Sequence, residues 1–136
     1  MRVAINGFGR IGKLVFRAFL EKKIRGVNVV AINELGSLDS SYHLLKFDST
    51  HGQLTENIVK TKNSIKHNNK NILFYSEKDP TKLPWKKLKI DIVLECSGVF
   101  ASKEKSYSHI VAGAKKVIIS APAKDVDATI VQGVNN

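Results

Sequence analysis

The chain has 136 residues, of which 43% are hydrophobic and 25% are charged. This length suits one domain with its own core, and the composition is that of a globular protein. Its apolar runs are shorter than the roughly 20 residues that a membrane helix needs, and an apolar strand at the very start argues against a signal peptide. The single cysteine excludes an internal disulfide and is typical of a reducing compartment, so we expect a cytoplasmic protein without membrane contact.

The net charge is +10 and the sequence pI is near 9.8. Such a balance occurs in nucleic-acid-binding proteins. Here the positive charge is mostly lysine spread along the chain, and arginine, the better fork for bases and phosphates, occurs only at positions 2, 10, 17 and 25. The lysines also lack interleaved aromatic residues on which bases would stack. We therefore expect a lysine-coated surface with weak, salt-sensitive attraction for polyanions and no specific nucleic-acid partner.

The first predicted element is a short apolar strand over residues 3–5. A G-x-G-x-x-G turn formed by Gly7, Gly9 and Gly12 follows it, and an amphipathic helix covers residues 13–20. Strand, glycine turn and helix in this order are typical of a dinucleotide-binding turn; a glycine turn without a ligand is the alternative. We expect Gly7 to allow the tight turn, Gly9 to let backbone approach a pyrophosphate, and Gly12 to let the helix pack on the strand. The helix N-terminus would present free N–H groups to the phosphates.

The second predicted strand covers residues 27–32 and ends at Asn33 and Glu34. Glu34 follows Gly12 by 22 positions, close to the spacing of roughly 20 at which an acidic residue meets the adenosine ribose. A carboxylate at this place accepts from both ribose hydroxyls and repels a 2′-phosphate. The pattern therefore favours NAD over NADP, and the alternative is a solvated loop carboxylate.

The remaining elements continue the alternation. Residues 38–47 predict a helix capped by Ser37 or Asp39, and a polar turn over 48–52 leads to a hairpin with strands at 57–60 and 62–66. Strands at 72–75 and 90–94 flank a loop that Trp85 closes over the core. A helix over 103–114 that Gly113 ends, a strand at 117–119 and a short strand at 129–131 complete the chain. This order predicts an α/β fold with a doubly wound, mostly parallel Rossmann-type sheet, in one domain covering residues 1–136.

Three predicted strand ends carry residues suited to binding. Ligands on such sheets lie at the carboxyl ends of the strands, so we expect the glycine turn, residues 97–100 and residues 120–122 to converge. Cys96 ends an apolar strand and is interpreted as structural, because an activated thiol needs a histidine base or a helix N-terminus beside it. The four histidines show no metal-ligand spacing, so we expect no metal site. Among them, His51 is the best candidate for a role.

Six segments of the chain together resemble one known family. They are VAINGFGRIG at 3–12, HLLKFDSTHG at 43–52, LPW at 83–85, ECSGVF at 95–100, AGAKKVIISAP at 112–122 and GVN at 133–135. This set is similar to the phosphorylating glyceraldehyde-3-phosphate dehydrogenases along the whole chain. Erythrose-4-phosphate dehydrogenase is the related alternative, because Glu34 suits its pattern where most glyceraldehyde-3-phosphate enzymes have Asp. A non-catalytic nucleotide-binding module is the alternative outside the family. Residues 119–123 look more like the glyceraldehyde-3-phosphate branch.

The resemblance implies the amino-terminal, NAD-binding half of a longer, tetrameric oxidoreductase of glycolysis. In that family the catalytic cysteine lies in an S-C-T-T-N motif beyond the last residue of this sequence, and the catalytic histidine and the arginines that hold substrate phosphates follow later. Cys96 does not match the catalytic position. We therefore expect that the catalytic domain is absent from this chain, that the chain supplies no catalytic residue, and that the absent domain binds a sugar-phosphate aldehyde.

The resemblance also implies where NAD is held. The expected contacts are Gly7, Phe8, Gly9, Arg10, Ile11 and Gly12 at the pyrophosphate, Asn33 and Glu34 at the adenosine ribose, Lys78 beside the adenine, Ser97, Gly98 and Phe100 at the adenosine and pyrophosphate, and Ser120 and Ala121 at the nicotinamide ribose. Lys78 stands where the family often has arginine. Since lysine stacks less well than arginine on a ring, we expect weaker packing against the adenine.

Overall fold

A computed structural model describes residues 1–48 and 50–134 of the chain. Strands and helices alternate along most of it. The strands are β1 (Arg2–Asn6), β2 (Asn28–Asn33), β3 (Phe47–Asp48), β4 (Gly52–Gln53), β5 (Ile58–Lys60), β6 (Ser64–His67), β7 (Lys70–Tyr75), β8 (Ile92–Glu95) and β9 (Lys116–Ile119). The helices are α1 (Arg10–Lys22), α2 (Leu38–Lys46) and α3 (Lys103–Val111), and a 3₁₀ turn covers Pro80–Lys82.

Seven of the strands in the described residues form one sheet in the order β5-β6-β7-β2-β1-β8-β9. The strands β7, β2, β1, β8 and β9 pair in parallel, and β5 and β6 extend the β7 edge as an antiparallel hairpin. In chain order the parallel strands are arranged 3-2-1-4-5, which is the arrangement of a doubly wound dinucleotide-binding sheet. The predicted fold class is confirmed. Because the order reverses between β1 and β8, a ligand crevice is expected at their carboxyl ends.

Two apolar cores lie on opposite faces of the sheet, because successive residues of a strand point to opposite sides. The first core joins the strands to α1 and α2 and includes Ile5, Phe16, Leu20, Ile32 and Leu45. The second core includes Ala4, Ala31, Trp85, Ile90 and Val93. Trp85 is fully buried there, so the predicted closure of the core by this side chain is confirmed. Elements on both faces leave the carboxyl edge of the sheet free for a site.

The ends of the helices differ slightly from the predicted ones. α1 begins at Arg10 rather than at residue 13, so Gly12 lies inside its first turn. Ser37, not Asp39, caps α2, and its hydroxyl accepts a hydrogen bond from the backbone N–H of Ser40 at 3.1 Å. α3 ends at Val111, before Gly113 with its φ of +117°. The short antiparallel pair β3 and β4 includes the first and last residues of the segment predicted as a polar turn, Asp48 and Gly52.

The predicted strand at 129–131 is wrong. Residues 129–131 have no strand conformation, and Ile130 and Val131 are 67% and 54% exposed. Strand preference of β-branched residues reflects packing on a half-buried sheet surface. Both side chains are mostly exposed rather than packed on such a surface of the described sheet, so their preference does not produce a strand.

Among residues 1–48 and 50–134, none of the helices combines the length and the apolar character needed to span a membrane.

Candidate functional site

A groove of about 360 Å³ opens at the carboxyl ends of β1, β2 and β8. Seven of the predicted cofactor contacts line it: Gly7, Gly9, Asn33, Glu34, Lys78, Ser97 and Phe100. They come from three separate strand ends and from the loop after β7. The groove therefore lies where the reversal of strand order places a ligand. A wider groove of about 740 Å³ lies at the amino ends of the strands, the edge that ligands of such sheets do not use.

The glycine turn has the conformation that its three glycines make possible. Gly7 has a φ of +92°, and a Cβ on it would lie 2.5 Å from the backbone of Ser97. A Cβ on Gly12 would lie 2.1 Å from the carbonyl oxygen of Gly7, so close packing of α1 on the turn requires glycine. A Cβ on Gly9 would meet no atom within 4 Å and would project into open space. Gly9 is also the N-cap of α1, and no side chain in the described part of the chain caps it.

The three residues between these glycines, Phe8, Arg10 and Ile11, do not line the groove. The ring of Phe8 is fully buried and packs edge-on against Phe16 at 5.8 Å between centroids. Only its backbone is near the groove, and its N–H already donates to Glu34 Oε2 at 2.7 Å. Arg10 and Ile11 are exposed at the start of α1. Their backbone N–H groups, rather than their side chains, are the groups that a phosphate at this helix end would use.

Glu34 joins the second strand to the glycine turn. Its Oε2 accepts from the N–H of Phe8, and its Oε1 accepts from the N–H of Leu35 at 2.8 Å and of Gly36 at 3.3 Å. A carboxylate has about four acceptor positions, so these bonds leave it little spare capacity. Glu34 therefore holds the turn in the described structure, and the contact with a ribose stays a prediction.

Asn33 lies beneath the groove and is almost completely buried. Its amide donates to Asn6 Oδ1 at 2.7 Å and to the carbonyl of Glu77 at 2.9 Å, and its Oδ1 accepts from the N–H of Glu77 at 2.9 Å. These bonds tie the end of β2 to β1 and to the loop after β7. Lys78, the next residue in that loop, is exposed at the mouth of the groove.

The segment after β8 forms one wall of the groove, and its backbone turns sharply at Ser97 and Gly98. The N–H of Ser97 donates to Glu95 Oε1 at 2.9 Å, and Gly98 has a φ of +76°. Phe100 is half-buried, with its ring 6.2 Å from the ring of His109 in an edge-to-face contact. Gly98 itself does not line the groove. Ser97, Val99 and Phe100 therefore form this wall.

Ser120 and Ala121 follow β9, next to this wall, and both are exposed outside the groove lining. The N–H of Ser120 donates to the carbonyl oxygen of Glu95 at 3.0 Å, which ties the two strand ends together. The third predicted strand end therefore lies beside the groove without forming part of its surface.

Cys96 lines the groove but lacks the surroundings of a nucleophile. Burial is the largest cause and raises the pKa of its thiol, Ser120 lowers this pKa by less, and the charge of Glu95 adds a smaller rise. A reactive thiol needs the opposite shift. These surroundings support the structural interpretation of Cys96. His51 lies elsewhere, with its ring 3.3 Å from Asp48 Oδ1, and its role stays a hypothesis.

Five residues of the groove lining were not among the predicted contacts: Asn6, Leu35, Glu77, Cys96 and Val99. Of these, Val99 lies in the segment 97–100 that was expected at the crevice, and Cys96 was interpreted as structural. Asn6 carried a usable signal, because a polar residue at the end of an apolar strand and directly before a glycine turn is unusual. Leu35 and Val99 are exposed apolar residues in loops, and nothing in their local sequence distinguishes them from ordinary surface residues.

Residues 1–103 match the family model of the NAD binding domain of glyceraldehyde 3-phosphate dehydrogenase. The chain belongs to the glyceraldehyde-3-phosphate dehydrogenase family. It is 52% identical over 134 residues to a glyceraldehyde-3-phosphate dehydrogenase of Thermotoga maritima, covering 98% of this chain and 40% of that relative. It is 50% identical over 137 residues to those of Zymomonas mobilis and Mycoplasma pneumoniae, covering all of this chain and 41% and 40% of the relatives. The chain thus spans about two fifths of their length.

The family model that the chain matches is an NAD-binding domain, so the cofactor of this domain is NAD. The residues present fit that group. Open space beside Gly9 permits close approach of a pyrophosphate to the backbone, and the uncapped first turn of α1 offers N–H donors. A carboxylate, Glu34, stands at the end of the second parallel strand, where dinucleotide-binding domains hold the ribose.

Proposed function

We propose that this chain binds and orients NAD for a phosphorylating glyceraldehyde-3-phosphate dehydrogenase. The whole enzyme would oxidise the aldehyde with NAD and inorganic phosphate to give an acyl phosphate. The single observation that supports this most strongly is the position of the groove at the reversal of strand order, between the glycine turn and Ser97. When bound, the nicotinamide supplies the acceptor for the hydride.

Different residues of the chain would bind different parts of NAD. The backbone at Gly7 and Gly9 and the N–H groups of Arg10, Ile11 and Gly12 would hold the pyrophosphate, with Phe8 anchoring the turn from the core. Glu34, beside Asn33, would hold the adenosine ribose, and Lys78 would cover the adenine. Ser97, Gly98 and Phe100 would form the opposite wall, and Ser120 and Ala121 would approach the nicotinamide ribose. None of these residues acts on the aldehyde itself.

The same proposal includes features of the whole enzyme. Its substrate is a sugar-phosphate aldehyde bound by a further domain, its assembly is a homotetramer and its location is cytoplasmic. Family resemblance supports the first two, and the single cysteine supports a reducing compartment. Erythrose-4-phosphate is the second candidate substrate, favoured by Glu34 in place of the more common Asp. Comparing both aldehydes as substrates of the whole enzyme, with phosphate present, decides between them.

Cofactor choice tests the proposal on this chain directly. We expect the chain to bind NAD more tightly than NADP in calorimetric titrations, because the Glu34 carboxylate repels a 2′-phosphate. Glu34→Gln keeps a hydrogen-bonding side chain of the same size and should reduce the preference. Glu104→Gln, at an exposed position of α3, is the matched control and should leave it unchanged. Equal binding of both cofactors to the unmutated chain would contradict the assignment.

A further inference from the structure

A chain of buried polar side chains runs from the second core to the floor of the groove. It begins at Trp85, whose indole Nε1–H donates to His109 Nδ1 at 3.0 Å. The other ring nitrogen of His109, Nε2, lies 2.6 Å from Glu95 Oε2. Trp85 and His109 are 0% exposed and Glu95 is 1% exposed. Three polar groups at this depth require an explanation, because apolar side chains of similar size would pack there without any desolvation cost.

Hydrogen-bonding chemistry determines the protonation of His109. An indole nitrogen only donates, so His109 Nδ1 must accept and carries no hydrogen. The hydrogen of the neutral ring then lies on Nε2 and is donated to Glu95. The contact between His109 and Glu95 is therefore a hydrogen bond from a neutral imidazole to a carboxylate, although its distance is also that of an ion pair.

The Glu95 carboxylate uses its remaining positions on residues of the groove. Its Oε1 accepts from both the N–H and the hydroxyl of Ser97. Its Oε2 also accepts from Asn6 Nδ2 at 2.7 Å, and Asn6 Oδ1 in turn accepts from Asn33 Nδ2 at 2.7 Å. One carboxylate thus connects the ends of β8, β1 and β2. Ser97 also contacts Gly7 so closely that no side chain fits between them, so the position of Ser97 limits that of the glycine turn.

We propose that Trp85, His109 and Glu95 form a positioning relay for the NAD groove. In this relay Trp85 fixes the tautomer and orientation of the His109 ring, His109 orients Glu95, and Glu95 holds Ser97 and Asn6 at the floor of the groove. The relay rests on the proposed function, because it assigns these three residues to the placement of the groove floor. None of the three needs to touch NAD.

Replacing the carboxylate by an amide tests the central residue. In Glu95→Gln, one acceptor oxygen becomes an NH₂ donor that faces donors on its neighbours. We expect the dissociation constant for NAD to rise on the order of tenfold, as expected for a lost charge-assisted hydrogen bond. Glu104→Gln, the same change at an exposed position of α3, is the control and should leave the constant unchanged. Unchanged affinity of a folded Glu95→Gln would overturn the proposal.

Two variants of His109 separate positioning from space filling. His109→Gln keeps one acceptor for Trp85 and one donor for Glu95, whereas His109→Leu keeps only the volume. We expect the glutamine variant to bind NAD nearly as tightly as the unmutated chain and the leucine variant to bind on the order of tenfold more weakly. Equal affinities of a folded leucine variant and the unmutated chain would mean that His109 only fills space.

The role of Trp85 is tested by nuclear magnetic resonance, which also covers the case of variants that do not fold. The nitrogen signals of the His109 ring show which ring nitrogen carries the hydrogen. In the unmutated chain we expect the tautomer with the hydrogen on Nε2, because Nδ1 accepts from Trp85. In Trp85→Phe no indole donor holds Nδ1, so these ring nitrogen signals should change. A hydrogen on Nδ1 of His109 in the unmutated chain would contradict the relay.

The outcomes keep the relay and the proposed function apart. If the unmutated chain binds no NAD, the proposed function fails. The nuclear magnetic resonance signals of Ser97 and of the Asn6 and Asn33 side-chain amides then still show whether Glu95 holds these residues in place. These resonances should shift in Glu95→Gln and stay in place in Glu104→Gln. If NAD binds and Glu95→Gln neither shifts them nor weakens binding, the relay fails and the NAD site stands.

Discussion

The sharpest prediction compares two alanine substitutions in the same turn. A methyl group at Gly12 would lie 2.1 Å from the carbonyl oxygen of Gly7 and 3.4 Å from Ile5 Cγ2. A methyl group at Gly9 would meet no atom within 4 Å. We expect Gly12→Ala to destabilise the fold, and Gly9→Ala to leave the fold intact but weaken NAD binding. The two variants differ only in what surrounds the same added group.

The magnitude follows from two opposing effects at Gly12. Alanine in place of glycine inside a helix gains about 1 kcal/mol, and overpacking a tight site costs about 1–3 kcal/mol, sometimes more. The clash here is with backbone, and Gly7 cannot retreat because Ser97 already lies against it. The cost therefore falls at or above the upper end, and the net loss is about 2 kcal/mol or more. For a domain of this size, that lowers the melting temperature by roughly 6 °C.

Thermal unfolding followed by circular dichroism measures the first effect, and calorimetric titration with NAD measures the second. Gly9→Ala should melt within about 2 °C of the unmutated chain, because its methyl group meets nothing, and its dissociation constant should rise on the order of tenfold through lost approach to the pyrophosphate. Stability of Gly12→Ala equal to that of the unmutated chain would refute the packing argument. Undiminished NAD binding by Gly9→Ala would refute the placement of the pyrophosphate.

Three further predictions concern chemistry, pH and charge. The 136-residue chain should form no NADH from aldehyde and phosphate, because the raised pKa of the Cys96 thiol leaves it a poor nucleophile. Turnover that Cys96→Ser abolishes would contradict this expectation. Burial raises the pKa of Glu95, but the hydrogen bonds that the carboxylate accepts outweigh burial and hold this pKa below the ordinary 4.5. The ionised carboxylate therefore stabilises the fold fully above pH 4.5, and this stabilisation is lost as the pH falls through the lower pKa of the folded state. Urea unfolding from pH 7 to 3 should show a weaker acid dependence in Glu95→Gln. Polyanions should bind the lysines at 60–70 and 82–89 and the groove lined by Arg25 and Lys70 at the amino edge of the sheet. Saturating NAD should therefore not displace DNA from the chain. DNA binding that persists at about 0.2 M salt and prefers particular sequences would refute this.

The sequence by itself determined the features that depend on neighbours along the chain. The glycine spacing after an apolar strand predicts a turn that only glycine can form, and the positive φ of Gly7 and the tight packing at Gly12 bear this out. Alternation of strands and helices predicts the parallel sheet for a similar reason, because short connections and right-handed crossovers allow few arrangements. Both the fold class and the place of the groove could therefore be predicted from local sequence patterns.

Only the tertiary structure decided the features that depend on residues far apart in the chain. The relay joins Trp85, His109, Glu95 and Asn6, and Asn6 and Glu95 are 89 positions apart. No local pattern shows that a histidine on a helix is held between a tryptophan and a carboxylate. The strand expected at 129–131 failed for the same reason, since a strand needs a sheet surface to pack on. Hydrogen-bond partners and packing surfaces are set by the folded arrangement as a whole.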